Sequence, residues 1–191
     1  MSTVTVRPTS DGALVECSIY PTSPTTHYDK VDEDPPNDAT DYVYGDDVGG
    51  VAKRDSYIKG STGIPDGSTI NSITIYRRHF CGAGTDGAKG STEGLLRNNA
   101  GTLAYTTVLN PTVWTTSSYV WSTSPFTAAA WTLDEVNGLQ IGCRSNAKYD
   151  TTDEAYYSGA ISTVWLVIDY TVGGVAAAIV IKGDGLTWIR Q

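Results

Sequence analysis

The stretch from Trp131 to Arg144 places a helix signal directly against a strand signal, and it constrains the fold more than any other part of the chain. Thr132 is suited to be an N-cap, and Glu135 completes a capping box by reaching back to the backbone N–H of the cap. Trp131 and Val136 occupy the two positions of a hydrophobic staple. We therefore expect one short helix here.

The same stretch, which we call the closing segment, continues as a strand. We expect Gly138 to end the helix in the left-handed conformation that glycine adopts at little cost. Leu139, Ile141 and Cys143 then alternate with more polar residues, which is the period of a half-buried strand. A single helical turn leading into a strand predicts a plug at one end of a β structure.

Composition favours strands over helices in the rest of the chain. The 191 residues include 12 Tyr, 5 Trp and 20 Gly but only 1 Met, a balance typical of β proteins rich in turns. Several short strand patterns separated by turn signals indicate a sandwich. We predict an all-β fold, a jelly-roll-like antiparallel β-sandwich with one short helix and a C-terminal hairpin arm.

Charge and hydropathy limit the partners of the chain. The formal net charge of −8 repels phosphates and anionic lipids, so we expect neither a nucleic-acid nor a membrane partner. No run of apolar residues approaches the roughly 20 needed to span a bilayer. The polar start at Met1-Ser2-Thr3 predicts synthesis in the cytoplasm without a signal peptide.

Two long strands are predicted to carry the core. In the strand from Thr69 to Cys81, Ile73 and Ile75 share a face with Arg77, His79 and Cys81, while Tyr76 and Phe80 point the other way. The strand from Ala160 to Tyr170 places Val164, Leu166 and Ile168 on its core face, with Trp165 and Val167 opposite. A strand that is apolar on both faces is either central in a sandwich or covered by a neighbouring subunit.

We divide the chain into a sandwich domain, residues 1–171, and a hairpin arm, residues 172–191. The arm has a turn at 182–185 between two short apolar strands, and an isolated hairpin is marginal in water. It must therefore dock, either on its own sandwich or on another chain. Residues 21–47 of the sandwich domain form a long acidic loop, interrupted late by the strand-like Tyr42-Val43-Tyr44.

The acidic loop has two interpretations. Its carboxylates could supply the six to eight oxygens that Ca²⁺ prefers, or they could simply form a solvated loop that keeps the protein soluble. The loop lacks the D-x-D-x-D-G pattern, so the solvated loop is favoured. Calcium is the one cofactor that the sequence suggests, and we predict no other.

Cysteine and histidine usage argues against catalysis. Cys17, Cys81 and Cys143 are odd in number and widely spaced, which predicts buried free thiols rather than a disulfide framework or a zinc site. His27 lies in the acidic loop and His79 in a strand, and no known catalytic motif surrounds either residue. We expect a protein that is not an enzyme, with His79 as a hydrogen-bonded strand residue.

Three segments together resemble the jelly-roll domains of structural proteins from tailed phages and related viruses. They are Ser124-Pro-Phe-Thr-Ala-Ala-Ala-Trp131-Thr132, then Asp134-Glu-Val-Asn-Gly-Leu-Gln-Ile-Gly142, and Ile161-Ser-Thr-Val-Trp-Leu-Val-Ile-Asp-Tyr170. Such domains end with a proline, small residues, Trp-Thr, a short helix, Val-Asn-x-Leu-x-x-Gly and an apolar last strand. The resemblance covers roughly residues 40 to 171 and implies a non-enzymatic virion component.

The leading hypothesis is thus a viral structural protein, a head decoration or capsid-auxiliary protein located in the virion. A tail-associated or fibre protein is the nearest alternative. Its partners would be further copies of itself, a trimer for example, and a capsid or tail protein. The predicted contact residues are Trp165, Val167, Ile179, Ile181, Leu186, Trp188 and Ile189.

Two hypotheses from other functional classes remain open. A carbohydrate-binding module on the same sandwich would stack sugar rings of host-surface glycans on Trp114, Tyr119, Trp121 or Trp165, although such aromatic residues are more often core or interface residues. A calcium-dependent hydrolase would need a metal and a pair of carboxylates at a suitable separation.

Overall fold

Two antiparallel sheets pack face to face and enclose the core. The computed structural model describes residues 1–38, 40–46 and 50–173, together with the backbone alone of 179–182 and 185–188. The first sheet has the order β3-β4-β13-β6-β9, and β1 also pairs with β13. Its strands are β1 (Ser2–Val6), β3 (Ser18–Tyr20), β4 (Tyr42–Tyr44), β6 (Thr69–Cys81), β9 (Thr115–Trp121) and β13 (Gly159–Thr171).

The second sheet has the order β2-β5-β10-β7-β8. The one α-helix among the described residues, α1 (Leu133–Gly138), lies between β9 of the first sheet and β10 of the second, and a 3₁₀ turn spans Tyr28–Lys30. The strands of this sheet are β2 (Pro8–Val15), β5 (Lys53–Lys59), β7 (Ser91–Arg97), β8 (Leu103–Tyr105) and β10 (Gln140–Asn146).

The strand order is that of a jelly roll. Eight strands form the frame, namely β1, β5, β6, β7, β8, β9, β10 and β13. Numbered in that order, they lie as 1-8-3-6 in one sheet and 2-7-4-5 in the other, which is the jelly-roll connectivity. The predicted fold class is confirmed.

Alternation along β6 and β13 builds the centre of the first sheet. Ile73 and Ile75 of β6, with Leu166 and Ile168 of β13, are fully buried between the sheets. The alternation predicted for both strands is confirmed, and β13 is central because β6 pairs with one edge while β1 and β4 share the other. The register between β13 and β6 shifts between Ile161 and Thr163, where Ser162 forms a bulge.

The closing segment joins the two sheets at one end of the sandwich. Thr132 is the N-cap of α1, and the capping box with Glu135 is present. The Trp131 indole Nε1–H donates to the Trp121 carbonyl at the end of β9, over 3.1 Å. On the side of the second sheet, Lys59 Nζ donates to the Asn137 carbonyl over 3.3 Å. Trp131, Val136 and Leu139 are buried in the core.

Gly138 differs from its prediction. It is the last residue of α1, and it does not adopt the left-handed conformation. A Cβ on Gly138 would lie 2.2 Å from Asn99 Nδ2, so any larger residue here would displace the Asn99 side chain.

The acidic loop is part of the fold instead of a solvated excursion. Val31 is fully buried, and its carbonyl accepts the Val164 N–H over 3.0 Å, which fills the edge of β13 between β4 and β1. Asp38 lies over the outer face of the first sheet, where it accepts from Arg78 and from the Ser162 hydroxyl. Lys30 is buried beside Asp41, with 3.4 Å between its Nζ and Oδ1.

Two hairpins complete the chain. β14 (Ile179–Lys182) pairs with β15 (Gly185–Trp188), so the predicted C-terminal hairpin is confirmed for the backbone. The segment after β10 contains the paired strands β11 (Lys148–Asp150) and β12 (Ala155–Tyr157).

The interior of the sandwich becomes polar at the other end of β6. Arg77 is buried and donates to the Thr106 hydroxyl at 2.9 Å and to the carbonyls of Thr92 and Thr107. Burial lowers the pKa of Arg77 to about 10, which leaves it charged at neutral pH. His79, next on this face, shares the polar region.

Removing the N-cap hydroxyl tests the closing segment. Thr132→Ala should lower the free energy of unfolding by about 1 kcal/mol, because the Glu135 N–H loses its acceptor at the helix start. Thr123→Ala, an exposed threonine in the preceding bend, should change it by less than about 0.5 kcal/mol. Urea denaturation of both variants measures the difference. Equal small effects would show that the capping box contributes no net stability.

Adjacent arginines of β6 test the polar interior. Arg77→Met should cost about 2–4 kcal/mol of unfolding free energy, because the Thr106 hydroxyl and the carbonyls of Thr92 and Thr107 lose hydrogen bonds from a buried charged donor. Arg78→Met, on the outer face, loses a partly exposed ion pair with Asp38 and should cost about 1 kcal/mol or less. Chemical denaturation of the two variants gives the comparison. A larger loss for Arg78→Met would contradict this account.

Candidate functional site

An open cleft lined by aromatic residues lies on the outer face of the first sheet. Its volume is about 380 Å³, within the range of about 300–1,000 Å³ typical of small-molecule sites. We call it the aromatic cleft. The described residues that line it are Tyr42, Tyr44, Phe80, Gly82, Trp114, Tyr156, Tyr157, Ser158 and Ala160.

The floor of the cleft is a row across three strands. Ala160 of β13 pairs with Tyr44 of β4 on one side and with Phe80 of β6 on the other. Residues opposite each other in neighbouring strands point to the same face of a sheet. A methyl group therefore lies between two aromatic side chains, and this difference in size makes the surface concave.

Trp114 closes one part of the cleft from the connection between β8 and β9. Its ring centroid is 6.1 Å from that of Tyr42 and 5.7 Å from that of Phe80. Tyr42 is itself stacked on Tyr20, with 5.1 Å between the centroids. Each ring is thus held by another ring of the same chain.

Two linked turns position the tyrosines of β12. The fully buried carboxylate of Asp150 accepts the backbone N–H groups of Asp86, Thr152 and Asp153 over 2.7–2.9 Å. A Cβ on Gly84 would lie 1.8 Å from Asp150 Oδ2, so only glycine fits this approach.

Asp153 connects those turns to the cleft itself. The Tyr157 hydroxyl donates to Asp153 Oδ2 over 2.7 Å, and the Thr85 hydroxyl donates to Oδ1 over 2.6 Å. Donation from Thr85 and Tyr157 lowers the pKa of Asp153, which keeps the carboxylate ionised. The hydroxyl of Tyr157 is thereby oriented at the edge of the cleft.

No protein family, curated protein or solved structure matches this chain. The resemblance to viral jelly-roll domains therefore stays a prediction from the sequence.

The aromatic residues predicted to stack on glycans lie at different places. Trp114 lines the aromatic cleft. Tyr119 and Trp121 are neighbours on β9, with their rings edge to face at 4.8 Å. Trp121 belongs to the core and is only 9% exposed, whereas Tyr119 is 37% exposed. The structure thus brings only Trp114 of this set into the cleft.

Residues predicted as subunit contacts divide into two groups. Trp165 and Val167 lie on the outer face of the first sheet. There Trp165 stacks on Tyr76, with 5.0 Å between the ring centroids and an interplanar angle of 6°. The Arg7 guanidinium lies over the Trp165 ring, 5.2 Å from its centroid. The second group lies on the C-terminal hairpin, for which the structure describes the backbone alone; it comprises Ile179, Ile181, Leu186 and Trp188. Ile189 lies outside the described residues.

His79 is fully buried in the interior of the sandwich, and both of its ring nitrogens are hydrogen-bonded. Its Nδ1 lies 2.5 Å from the Thr92 hydroxyl and its Nε2 lies 2.9 Å from the Ser117 hydroxyl. Burial, together with the charges of Arg77 and Arg78, lowers the pKa of His79 to about 3. The ring is neutral at physiological pH and is hydrogen-bonded to a strand of each sheet. The prediction of a hydrogen-bonded strand residue is confirmed.

Asp55 organises a buried polar cluster that the sequence reasoning missed. Its Oδ1 accepts the N–H groups of Glu16 and Cys17, and its Oδ2 lies 2.7 Å from His27 Nδ1 and accepts from the Tyr57 hydroxyl. The hydrogen bond between His27 and Asp55 raises the pKa of His27.

The same cluster has no activated nucleophile. The neighbouring Cys143 side chain and burial raise the pKa of Cys17 well above its ordinary value, and burial does the same for Tyr57. A reactive thiol needs the opposite shift. Cys17, Cys81 and Cys143 are all buried and free, as predicted.

Carboxylates of the acidic loop are largely engaged by the protein itself. Arg7 pairs with Asp34, Arg78 with Asp38 and Lys30 with Asp41. Within the described parts of the chain, no three metal-ligating side chains form a group that could hold an ion. The described helices include none long and apolar enough to cross a membrane.

Glu33 makes the acidic loop sensitive to pH. Burial raises its pKa from 4.5 to about 7, and the neighbouring carboxylates Asp41 and Asp32 add to the rise. The folded chain therefore holds this proton more tightly than the unfolded chain. The stability that protonated Glu33 contributes is fully present below about pH 4.5 and is lost as pH rises through about 7.

Glu33→Gln should remove that dependence, because an amide does not ionise. We expect the unfolding free energy of the wild type to fall more steeply between pH 4.5 and 7 than that of the variant, as measured by urea denaturation at several pH values. The exposed Glu154→Gln is the matched control and should follow the wild type. Parallel curves for the wild type and Glu33→Gln would disprove the role of Glu33.

Proposed function

We propose that this chain is a non-enzymatic structural protein of a viral particle, a head decoration or capsid-auxiliary protein that stabilises the particle through contacts between subunits. The outer face of the first sheet is the observation that carries the proposal. A row of residues crosses this face on neighbouring strands. Val167 pairs with Thr5 on one side and with Thr74 on the other, and Thr74 pairs in turn with Val120. Val120 is 56% exposed.

This face has the composition of an assembly surface. Beside the row of β-branched residues lies the stacked pair of Trp165 and Tyr76. Aromatic residues and arginine are enriched in protein interfaces, and the Arg7 guanidinium lies over the Trp165 ring. The row and the stacked pair belong to four paired strands, so the surface is ordered by the sheet and little entropy is lost on contact.

The jelly-roll order and the closing segment also support the proposal. The three segments that resemble viral structural proteins form the bend after β9, the helix with β10, and β13. These parts close the sandwich and form its centre. A fold alone does not specify a function, so the outer face and not the topology is what an experiment should address. A tail-associated or fibre protein would use the same face.

Both histidines and Cys17 make structural contacts, which is consistent with a non-enzymatic role. His79 is neutral and enclosed, His27 is paired with the buried Asp55, and the pKa of Cys17 is raised. Each of these groups is occupied with holding strands or loops together.

A second function, glycan binding, is favoured by one specific observation. Trp114, which the sequence singled out for sugar stacking, lines the aromatic cleft together with five other aromatic residues. Aromatic clefts of this kind can present apolar ring faces to a ligand. A virion protein with such a cleft could attach to the glycans of a host surface while its outer face holds the particle together.

Charging the outer face tests assembly. Val167→Lys should convert a closed oligomer, such as a trimer, to a monomer, because a lysine in a dry interface must be desolvated without a partner. Ending the chain at Thr171 should have the same effect if the C-terminal hairpin docks on a neighbour. Light scattering coupled to size-exclusion chromatography measures the mass, and circular dichroism checks that the sandwich persists.

Val108→Lys is the matched control, since Val108 is 54% exposed and lies outside the first sheet. It should leave the oligomer intact. A wild-type protein that stays monomeric alone and does not bind purified particles would contradict the structural role. An oligomer that survives Val167→Lys would show that another surface holds it together.

A further inference from the structure

The aromatic cleft has room for one flat ring above its floor. Tyr44 and Phe80 flank Ala160 on the two neighbouring strands. Strands in a sheet are about 4.8 Å apart, so the backbones that carry these two aromatic side chains are separated by roughly 10 Å. The methyl group between them leaves a shallow, flat-bottomed space. Gly82, which also lines the cleft, adds no side chain to it.

The rings around this space are held in position by other rings of the protein. Trp114 packs against Tyr42 and Phe80, Tyr42 stacks on Tyr20, and Tyr156 packs against Tyr149 with 4.8 Å between centroids. Aromatic side chains have few rotatable bonds, and packing restricts these further. Ligand binding therefore requires little additional ordering of the side chains.

The chemistry of the lining selects an uncharged, amphipathic ligand. Its apolar surface consists of ring faces, and its side-chain polar groups are the hydroxyls of four tyrosines and of Ser158 and the indole N–H of Trp114. Among the described residues that line the cleft, none carries a charge at neutral pH. The nearby carboxylate of Asp153 is already engaged by Thr85 and Tyr157. A charged ligand would thus lose water without gaining a counter-charge.

We propose that the aromatic cleft binds a neutral saccharide, with a glucose-configured pyranose ring lying on the Ala160 floor against Trp114. A ring of this configuration has equatorial hydroxyls and C–H groups on both faces. Its faces can contact the floor and an aromatic wall, while its hydroxyls meet those of the tyrosines and Ser158. This inference rests on the second function proposed above and adds to it the site and the class of sugar.

Two other ligand classes bind aromatic surfaces and serve as competing outcomes. Quaternary ammonium groups are recognised by aromatic cages, and the net charge of −8 would attract them. Proline-rich peptides dock in grooves lined by aromatic residues. The flat floor between Tyr44 and Phe80 and the several hydroxyls of the lining favour the saccharide over both, because a sugar ring presents a hydrogen-bonding group at nearly every carbon.

The experiment is isothermal titration calorimetry of the full chain with cellotetraose and with chitotetraose, two β-1,4-linked, glucose-configured probes. Choline chloride and a decaproline peptide are titrated in parallel. Trp114→Ala removes a wall, and Ala160→Leu fills the floor while keeping every ring. Tyr119→Ala removes an aromatic residue outside the cleft and is the matched control. Circular dichroism melting confirms that each variant is folded.

The expected result is saccharide binding by the wild type, with Kd raised at least about tenfold in Trp114→Ala and in Ala160→Leu, a loss of about 1.4 kcal/mol or more. Tyr119→Ala should change Kd by less than about twofold. If a saccharide binds equally well to all variants, the site assignment is wrong although the glycan-binding function stands.

The remaining outcomes overturn the ligand class. Binding of choline or decaproline without binding of either saccharide would assign the cleft to that class. No binding of any of these probes by the folded wild type would reject this inference. A glycan array that includes sugars of other configurations then decides the glycan-binding function separately. None of these results depends on particle assembly, which the outer-face variants measure separately.

Discussion

A sandwich of two sheets has open ends, and the rest of this fold depends on how one of them is closed. The chain must cross from β9 in the first sheet to β10 in the second, and it does so through one helical turn. The indole of Trp131 is hydrogen-bonded to the Trp121 carbonyl of β9, and Asn137 meets Lys59 of β5 and the hydroxyl of Thr62. The capping box holds the turn between these contacts, and Val136 and Leu139 fill the space beneath it.

The opposite end of the interior is filled differently, and this affects what the outer surface can become. Past Ile75 the inward positions of β6 are Arg77 and His79, whose hydrogen bonds reach β7, β9 and the chain after β8. Because side chains alternate along a strand, the intervening outward positions are free for other uses. Arg78 anchors the acidic loop through Asp38, and Phe80 lines the aromatic cleft. One strand thus carries a polar interior and an aromatic exterior.

Much of this architecture could be predicted because it depends on patterns of neighbouring residues in the sequence. The capping box, the alternation of β6 and the two-faced β13 each occupy consecutive residues, and all three were found correctly. Gly138 was interpreted wrongly because its neighbour, Asn99, is distant in sequence. The aromatic cleft was missed for the same reason: its rings come from β4, β6, the β8–β9 connection and β12. The alternation Tyr42-Val43-Tyr44 was the one local sign that two aromatic side chains share a face. Asp55 left no such sign, because its partners Glu16, Cys17 and His27 are distant in sequence.

The bulge at Ser162 separates two regions of the same sheet face. On one side of it lies the cleft row of Tyr44, Ala160 and Phe80, and on the other lies the stacked pair of Trp165 and Tyr76. The bulge takes up the extra residue, so Ala160 still pairs with Phe80 and Ile161 with His79. In an unbroken register the extra residue would shift this pairing by one position, which turns a strand over. Ile161 would then face outward in place of Ala160, and its larger side chain would fill the cleft while Trp165 and Tyr76 stayed paired. The shape of the cleft floor therefore depends on a local irregularity of the backbone at Ser162.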